Sequence, residues 1–234
     1  MNCSFNTVLG TKVVMECRPD TTDKMTAEAI LIYDEYKAKE LQKHYKDGDV
    51  FIDIGSHIGS WALLMASLNY SFKVLAYEAL PENYEVIQKN IMLNDQYNLE
   101  AFNYALSDSS EGKQKIYFTN SDTPFNKHHR FIGSSMGAGA NFIEVDKISL
   151  SDILAKVDHV KVLKTDCEGG ECLAFPTLSN EELNKIEFIV GEFHGLGMDY
   201  DKFWGIFAPH FTDESDTPRE KYLRDFTFKN KRLS

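Results

Sequence analysis

The sequence predicts an α/β fold in which helices cover both faces of a mostly parallel, seven-stranded sheet. Three observations predict it. Short apolar runs alternate with helical patterns after residue 48, as in the consecutive strand–helix units of a parallel sheet. One of these runs leads through two glycines directly into a helical pattern at residues 50–68. The chain closes with strand-like runs around Phe211 and at 223–228, which predict an antiparallel C-terminal strand.

The elements are predicted in three segments of a single domain that spans 1–234. Residues 1–47 form a small N-terminal addition, with a strand at 12–15 and one long helix from Thr22 to Tyr45, where Ala, Glu, Lys and Leu are frequent. Residues 48–195 form the core, and residues 196–234 form a C-terminal helix at 200–208 followed by strands. The core elements are, in order, strand 49–54, helix 58–69, strand 72–77, helix 82–94, strand 99–104, strand 113–118, a loop insertion at 119–141, strand 142–145, helix 149–154, strand 160–165, a helix from about 171 and strand 186–190.

Composition restricts the partners and the cellular setting. The 234 residues are 43% hydrophobic, which is enough for a full core in one domain without disulfide bonds. The net charge of −11 argues against a nucleic acid or an anionic membrane as partner. No apolar run reaches the roughly 20 residues of a membrane span, and the N-terminus lacks a signal-peptide pattern. The four cysteines show no CxxC pairing, so we expect reduced thiols in a cytoplasmic protein.

The turn between the first core strand and its helix indicates the type of ligand. The strand leads into Asp53, and glycines follow at Gly55 and Gly59. Because they lack a Cβ, these glycines let the backbone approach a ligand closely. A dinucleotide fingerprint needs a further glycine where His57 stands, and a phosphate-binding loop needs a lysine that this turn lacks. The turn therefore favours a positively charged nucleoside, of which S-adenosylmethionine is the commonest.

The second core strand ends in a carboxylate at Glu78. An acid at this strand end often accepts hydrogen bonds from both ribose hydroxyls of a nucleoside, and such charge-assisted bonds contribute roughly 1.5–3 kcal/mol each. The alternative is that Glu78 only caps the helix that begins near Pro81. Because Asp53 and Glu78 end consecutive strands, we favour the ribose role.

Two later strands end in the densest groups of polar residues. One leads into Asp166, Glu168 and a third acid within six residues, and crowded carboxylates require a cation or hydrogen-bond donors. The sulfonium and α-ammonium groups of S-adenosylmethionine would neutralise these carboxylates. The other strand carries Glu192 and His194, and the near-neutral pKa of a histidine suits a general base that removes a hydroxyl proton. The alternative for the acids is that they are solvated at the start of a helix. The alternative for His194 is a structural role.

The insertion at 119–141 is long for a compact domain, and long loops often cover or bind substrates. It mixes apolar anchors with small residues, including Ser134 and Ser135. We expect it to contact the substrate. The alternative is a tolerated surface insertion.

Five segments, taken in order, resemble the FkbM family of S-adenosylmethionine-dependent methyltransferases over about residues 33–194. The family usually has alanine and asparagine where Ser56 and His57 stand. The resemblance implies a Rossmann-like class I methyltransferase fold and O-methylation of a hydroxyl on a small molecule, such as a sugar or a natural product. The resembling segments are 50–59, 77–83, 103–108, Ser134-Ser135 with 145–154, and 163–171.

The residues and the resemblance together give a predicted site. We expect the acceptor hydroxyl to be deprotonated or oriented by His194, with Glu168 or Glu192. Substrate contacts are expected from Ser134, Ser135 and Glu168. The residues expected to bind S-adenosylmethionine are Asp53, Gly55, Ser56, His57, Ile58, Gly59, Glu78, Ala79, Leu106, Ser107, Asp108 and Asp166.

Three alternatives remain open. A nicotinamide-dependent oxidoreductase would use the same kind of sheet, although the missing glycine at position 57 argues against it. A binding module would hold the nucleoside without transferring a methyl group. A divalent metal among Asp166, Glu168 and either Glu192 or His194 would resemble some catechol methyltransferases, but we expect no metal. The sequence predicts neither the identity of the acceptor nor the oligomeric state.

Overall fold

The computed structural model describes residues 1–118, 131–132, 141–195, 197–216 and 223–233. The chain begins with an antiparallel hairpin of β1 (Asn2–Asn6) and β2 (Lys12–Glu16). The end of a later helix covers the free edge of β2, because the Asn90 and Asn94 side-chain oxygens accept hydrogen bonds from the Glu16 and Val14 amides, at 2.6 and 2.8 Å. An edge strand that is satisfied in this way offers fewer open backbone groups to other chains.

The other helices and strands follow in chain order. None of the described helices combines the length and the apolar character that crossing a membrane requires. The elements are α1 (Asp23–Leu31), α2 (Ala38–Leu41), β3 (Val50–Ile54), α3 (Ser60–Leu68), β4 (Lys73–Tyr77), α4 (Pro81–Leu93), β5 (Leu99–Phe102), β6 (Ala105–Ser107), β7 (Lys113–Phe118), β8 (Phe131–Ile132), β9 (Asn141–Ser149), α5 (Leu150–Leu154), β10 (Val160–Thr165), α6 (Gly170–Ala174), α7 (Asn180–Asn184), β11 (Ile186–His194), α8 (Tyr200–Phe207), β12 (Phe211–Asp213) and β13 (Leu223–Asn230), with 3₁₀ turns at Gln42–His44, Phe175–Thr177 and Lys231–Leu233.

The single long helix expected over residues 22–45 is wrong. The chain leaves the helical path between α1 and α2, where Asp34 and Lys37 adopt left-handed backbone angles with φ of 61° and 54°. The Asp34 carboxylate accepts a hydrogen bond from the Lys39 amide at 3.1 Å. A short acidic side chain that bonds nearby backbone competes with a continuous helix. We refer to residues 32–37 as the α1–α2 connector.

The central sheet has seven strands in the order β12–β13–β11–β10–β3–β4–β5. Strands β11, β10, β3, β4 and β5 are parallel, whereas β13 runs antiparallel to both β11 and β12. This arrangement confirms the predicted Rossmann-like α/β fold and its antiparallel C-terminal strand. The strand order reverses between β3 and β10, and ligands of such sheets bind beyond the carboxyl ends of the strands at that point.

A second, four-stranded sheet has the order β6–β9–β7–β8. The sequence patterns predict several of its strands but not that they form a separate sheet. Strand β9 pairs in parallel with β6 and antiparallel with β7. Ala105, Ile116 and Val145 of this sheet form a small apolar cluster with Leu80. The cluster joins the second sheet to the start of α4.

Both faces of the central sheet are buried. On β3, Phe51 belongs to one apolar cluster together with Trp61 and Met65 of α3, whereas Ile52 and Ile54 belong to the other. A strand that is apolar on both faces is expected where helices cover both sides of a parallel sheet. The helices therefore hold the strand ends in fixed positions around the site described next.

Candidate active site

A cavity of about 330 Å³ opens at the carboxyl ends of β3, β4, β10 and β11. It lies where the strand order of the central sheet reverses. Residues from the four strand ends line it, as the sequence predicts for a ligand site. Met25 of α1 and Glu35 and Tyr36 of the α1–α2 connector also line it, although no sequence pattern predicts them there. The cavity is thus closed on one side by the N-terminal addition.

The glycine turn after β3 lies tightly against the end of β10. Gly55 has a φ of +74°, and a Cβ at this position would lie only 1.8 Å from the backbone oxygen of Asp166. The Gly55 and Ser56 amides both donate to the Tyr77 carbonyl, at 2.9 and 3.1 Å. The Ser56 hydroxyl donates to the Asp53 carbonyl at 2.8 Å. Glycine is therefore required at position 55 both by the backbone angle and by the approach of the two segments.

Asp53 forms a buried ion pair below this turn. Its carboxylate lies 3.1 Å from the Lys164 Nζ, and both side chains are almost completely buried. Lys164 also donates to the Gly55 carbonyl at 2.8 Å. Burial opposes the charge of Lys164, but the nearby Asp53 and Asp166 carboxylates raise its pKa above the usual value. Asp53 does not line the cavity, so its position supports a role in holding the turn, and direct contact with a cofactor stays a prediction.

His57 connects the turn to the N-terminal addition. Its Nε2 lies 3.1 Å from the Asp23 carboxylate at the start of α1. Asp23 also accepts two hydrogen bonds from the Arg18 guanidinium, at 2.8 and 2.9 Å. Burial opposes the Asp23 charge, but these bonds outweigh it and hold the Asp23 pKa well below its usual range. Sequence patterns missed Arg18 and Asp23, because neither lies in a recognisable motif.

Glu78 faces the cavity and also organises the backbone around it. One carboxylate oxygen accepts a hydrogen bond from the His57 amide at 2.8 Å. The other accepts from the Leu80 amide at 2.9 Å and from the Asn83 side chain at 3.3 Å. Burial raises the pKa of Glu78 above its usual value, although these bonds oppose the increase. Both sequence interpretations of Glu78 are therefore compatible with its position, since it bonds the start of α4 and lines the cavity.

The remaining predicted cofactor residues divide into two groups. Ala79 and Leu106 line the cavity beside other mainly apolar residues, including Leu80 and Ile116. The others do not line it, and Asp108 is instead exposed beside Lys147, 3.5 Å from its Nζ. The residues that do not line the cavity are Ser56, Ile58, Gly59, Ser107 and Asp108. The predicted substrate residues Ser134 and Ser135 lie outside the described residues.

A carboxylate cluster surrounds His194 at the end of the cavity formed by β10 and β11. The His194 Nδ1 lies 3.1 Å from Glu171 and 3.9 Å from Asp166. The Nε2 lies 3.3 Å from Glu192 and 3.6 Å from Glu168. Asp166, Glu168 and Glu192 line the cavity, whereas His194 contacts them without lining it. The structure therefore brings all the predicted catalytic residues together, and it adds Glu171.

The charge state of this cluster bears on the predicted chemistry. Burial disfavours the protonated form of His194, but hydrogen bonds with Glu171 and Glu192 outweigh it and raise the pKa of His194 to about 11. Burial raises the pKa of Glu168 to about 7, with a further increase from nearby acids and an opposing effect of His194. At neutral pH the imidazolium thus neutralises part of the cluster. A general-base role for His194 stays a prediction, because it requires another cation to replace that proton.

The α1–α2 connector supplies a further wall of the cavity. The Tyr36 hydroxyl donates to Asp166 at 2.8 Å, and the Lys164 Nζ lies 5.2 Å from the centre of the Tyr36 ring. Burial, together with the nearby Asp166 charge, raises the pKa of Glu35 to about 7. Sequence reasoning missed both residues because it continued a helix through them. Asp34, whose short side chain can bond nearby backbone, was a weak local signal for a break.

Comparison with known proteins identifies the family of the chain. The family profile described as Methyltransferase FkbM domain matches residues 53–229, which is well over half of the chain. The chain is 25% identical over 167 residues to Methyltransferase sdnD of Sordaria araneosa, covering 60% of this chain and 64% of that protein. It is 26% identical over 165 residues to Methyltransferase 1 of Beauveria bassiana (strain ARSEF 2860), covering 63% and 66%.

The matches to these relatives cover only part of their length. The chain spans about two thirds of the length of these relatives, at 64% and 66%. Among solved structures, a precorrin-6y C5,15-methyltransferase from Geobacter metallireducens GS-15 has a TM-score of 0.49 and 12% identity, covering 84% of this chain and 89% of that one. Because the family match extends over residues 53–229, the predicted resemblance is confirmed, and the chain belongs to the Methyltransferase FkbM domain family.

Proposed function

We propose that this chain transfers a methyl group from S-adenosylmethionine to a hydroxyl group of a small molecule. Family membership supports methyl transfer. The observation that carries the proposal is that a single cavity is lined by Gly55, Glu78, Asp166, Glu168 and Glu192 together. Its volume of about 330 Å³ lies within the range of small-molecule pockets.

The cofactor part of the cavity offers groups that fit the functional groups of S-adenosylmethionine. Glu78 would accept hydrogen bonds from the ribose hydroxyls. Ala79, Leu80 and Leu106 offer an apolar surface for the adenine ring. Asp166 would pair with the α-ammonium group, since Tyr36 holds its carboxylate in place at 2.8 Å. When bound, S-adenosylmethionine supplies an electrophilic methyl group on a positively charged sulfur.

The acceptor part of the cavity offers proton acceptors. Glu168 and Glu192 line it, and each lies within 4 Å of the His194 Nε2. In this proposal one of the two carboxylates accepts the hydroxyl proton, while His194 orients both. Holding the hydroxyl next to the methyl group would provide much of the rate enhancement, since correct orientation of the reactants can lower the activation barrier by about 7–11 kcal/mol. Ser134 and Ser135 remain proposed substrate contacts.

Calorimetric titration with S-adenosylmethionine tests the cofactor part. Glu78→Gln removes the charge that would bind the ribose, and we expect at least about tenfold weaker binding, because each charge-assisted bond contributes roughly 1.5–3 kcal/mol. Glu85→Gln is the matched control, since Glu85 is exposed on the helix that follows Glu78. Equal affinities of Glu78→Gln and Glu85→Gln for S-adenosylmethionine would show that Glu78 does not bind the cofactor. Binding of NADH without binding of S-adenosylmethionine would refute the proposed function.

Release of S-adenosylhomocysteine tests transfer itself. The wild-type chain is incubated with S-adenosylmethionine and a panel of sugars and polyhydroxylated natural products, and the released product is measured. We expect release with at least one hydroxyl acceptor and none without an acceptor. Tight cofactor binding with no release from a broad panel, including amine and thiol acceptors, would favour a binding module. Release only with amines or thiols would refute O-methylation.

A further inference from the structure

The geometry points to a divalent-cation site formed by Asp166, Glu192 and His194 at the wall of the cavity. One ligand atom from each of these side chains lies within 4.8 Å of the other two. The His194 Nε2 lies 3.3 Å from a Glu192 oxygen, and the His194 Nδ1 lies 3.9 Å from an Asp166 oxygen. Two ligands that share a first-row metal at about 2.1 Å are typically about 3–4 Å apart. The three side chains are therefore close enough to share one ion after side-chain rearrangement.

The orientation of His194 is fixed by a group outside this ligand set. A Glu171 oxygen lies 3.1 Å from the His194 Nδ1 and accepts a hydrogen bond from the His194 amide at 2.8 Å. The other Glu171 oxygen accepts from the Gly169 amide at 3.2 Å and from the Cys167 thiol at 3.0 Å. Glu171 is completely buried. Glu171 thus holds Nδ1 and leaves Nε2 facing Glu192 at 3.3 Å, and a carboxylate on one imidazole nitrogen is the usual support of a histidine that binds a metal through the other.

The distribution of charge favours a bound cation. Carboxylates reach this region from four parts of the fold: Glu35 on the connector, Asp166, Glu168 and Glu171 after β10, Glu192 on β11, and Asp225 on β13. His194 and Lys164 are two described cations that interact with this group, and Lys164 also contacts Asp53 and the Gly55 carbonyl. One imidazole nitrogen with two carboxylates suits Mn²⁺ or Zn²⁺ better than Mg²⁺ or Ca²⁺, which prefer oxygen ligands.

The site would extend the proposed function, on which this step rests, and it reassigns two carboxylates: with an ion bound, Asp166 and Glu192 hold the ion, and Glu168 is left to accept the hydroxyl proton. Asp166 and Glu192 line the cavity, so an ion that they hold is accessible to the acceptor. A bound cation stabilises a deprotonated oxygen as a Lewis acid. This inference replaces the expectation from sequence that the chain uses no metal.

Metal binding is measured directly with Mn²⁺ as the probe. The full chain is treated with a chelator, desalted and titrated with Mn²⁺, and free Mn²⁺ is followed by electron paramagnetic resonance. We expect one saturable site in the wild type. Glu192→Gln and His194→Gln should each weaken binding at least about tenfold, and Glu171→Gln should weaken it about 10- to 100-fold, as is usual for a carboxylate that supports a metal-binding histidine. Competition with Zn²⁺ and Mg²⁺ then ranks the metals.

Glu187→Gln is the matched control, because Glu187 lies on β11 but pairs with Lys161. It should bind Mn²⁺ like the wild type. The absence of saturable binding of Mn²⁺ and Zn²⁺ to the wild type, which needs no variant to be folded, would overturn the inference. Unchanged Mn²⁺ affinity in both Glu192→Gln and His194→Gln, with circular dichroism matching the wild type, would also overturn it.

A parallel titration with S-adenosylmethionine in the presence of chelator separates this inference from the proposed function. If S-adenosylmethionine binds and neither metal does, the metal site is refuted and the proposed function stands. If Mn²⁺ binds at the predicted residues and S-adenosylmethionine does not bind with or without it, the metal site stands and the proposed function fails.

Discussion

Replacing Gly55 by alanine tests whether the turn beneath the cavity depends on the missing side chain. Gly55 has a φ of +74°, and a Cβ there would lie 1.8 Å from the Asp166 carbonyl oxygen, whereas real contacts of this kind essentially never fall below 3.0 Å. The two backbone segments would therefore have to separate by about 1.2 Å, the difference between these distances. The left-handed angle costs about 1 kcal/mol once a Cβ is present, and backbone shifts that relieve overpacking cost roughly 1–3 kcal/mol.

We therefore expect Gly55→Ala to lower the free energy of unfolding by about 2–4 kcal/mol, the sum of these two contributions. Urea denaturation measures the loss, since the midpoint and slope give the free energy of unfolding. S-Adenosylmethionine titration of the folded fraction should also show weaker binding, because the displaced segment carries Asp166.

Two further glycines separate the two contributions. Gly48 has a φ of +82°, and a Cβ there would meet nothing within 4 Å beyond its own chain neighbours, so Gly48→Ala carries only the cost of the backbone angle. Gly191 lacks a left-handed angle, but a Cβ there would lie 1.7 Å from the Thr165 carbonyl oxygen, so Gly191→Ala carries only the overlap. If Gly55→Ala lost no more stability than Gly48→Ala, the close packing of the turn against the end of β10 would be refuted.

Two other predictions concern the N-terminal addition. Tyr36→Phe removes the hydroxyl that donates to Asp166, and we expect it to weaken the binding of S-adenosylmethionine about tenfold. The control Tyr33→Phe, at a side chain that is 77% exposed, should leave this affinity unchanged. Equal calorimetric affinities of the two variants would contradict the positioning role of Tyr36. Asp23 has a lowered pKa because bonds from Arg18 outweigh its burial, so its stabilisation is complete above the unfolded pKa of about 4 and is lost as the pH falls below that value. Urea denaturation between about pH 6 and about pH 2.5 should show a smaller loss of stability for Asp23→Asn than for the wild type, and parallel curves would refute this.

The part of the candidate site that lies on strand ends could be predicted from the sequence. Apolar runs ending in an acid or a glycine are strong local signals for buried strands. Gly55, Glu78 and Asp166 follow three such runs, and all three line the cavity. Strand order could not be read from these runs, but the rule that ligands bind beyond the carboxyl ends was sufficient to group them.

The wall formed by the α1–α2 connector could not be predicted, because its contacts are distant in sequence. Tyr36 is separated by 130 positions from Asp166. The surrounding residues are good helix formers, and intrinsic propensity is a weak prior that tertiary contacts override. The same limit applies to the second sheet, where β6 pairs with β9 across about 40 residues, as in Ala105 with Lys147. Periodicity identifies a strand but not its distant partner.

The bond between Tyr36 and Asp166 joins two distant parts of the polypeptide at one point of the pocket. The family match begins at residue 53, downstream of this tyrosine, so a polypeptide trimmed to that boundary would keep the acidic strand ends and lose the side that covers them. Attachment of the N-terminal addition and occupancy of the pocket are then thermodynamically linked. A ligand that contacts this side of the pocket would protect the N-terminal addition from proteases. A change that favours detachment of the N-terminal addition would weaken ligand binding by the same factor.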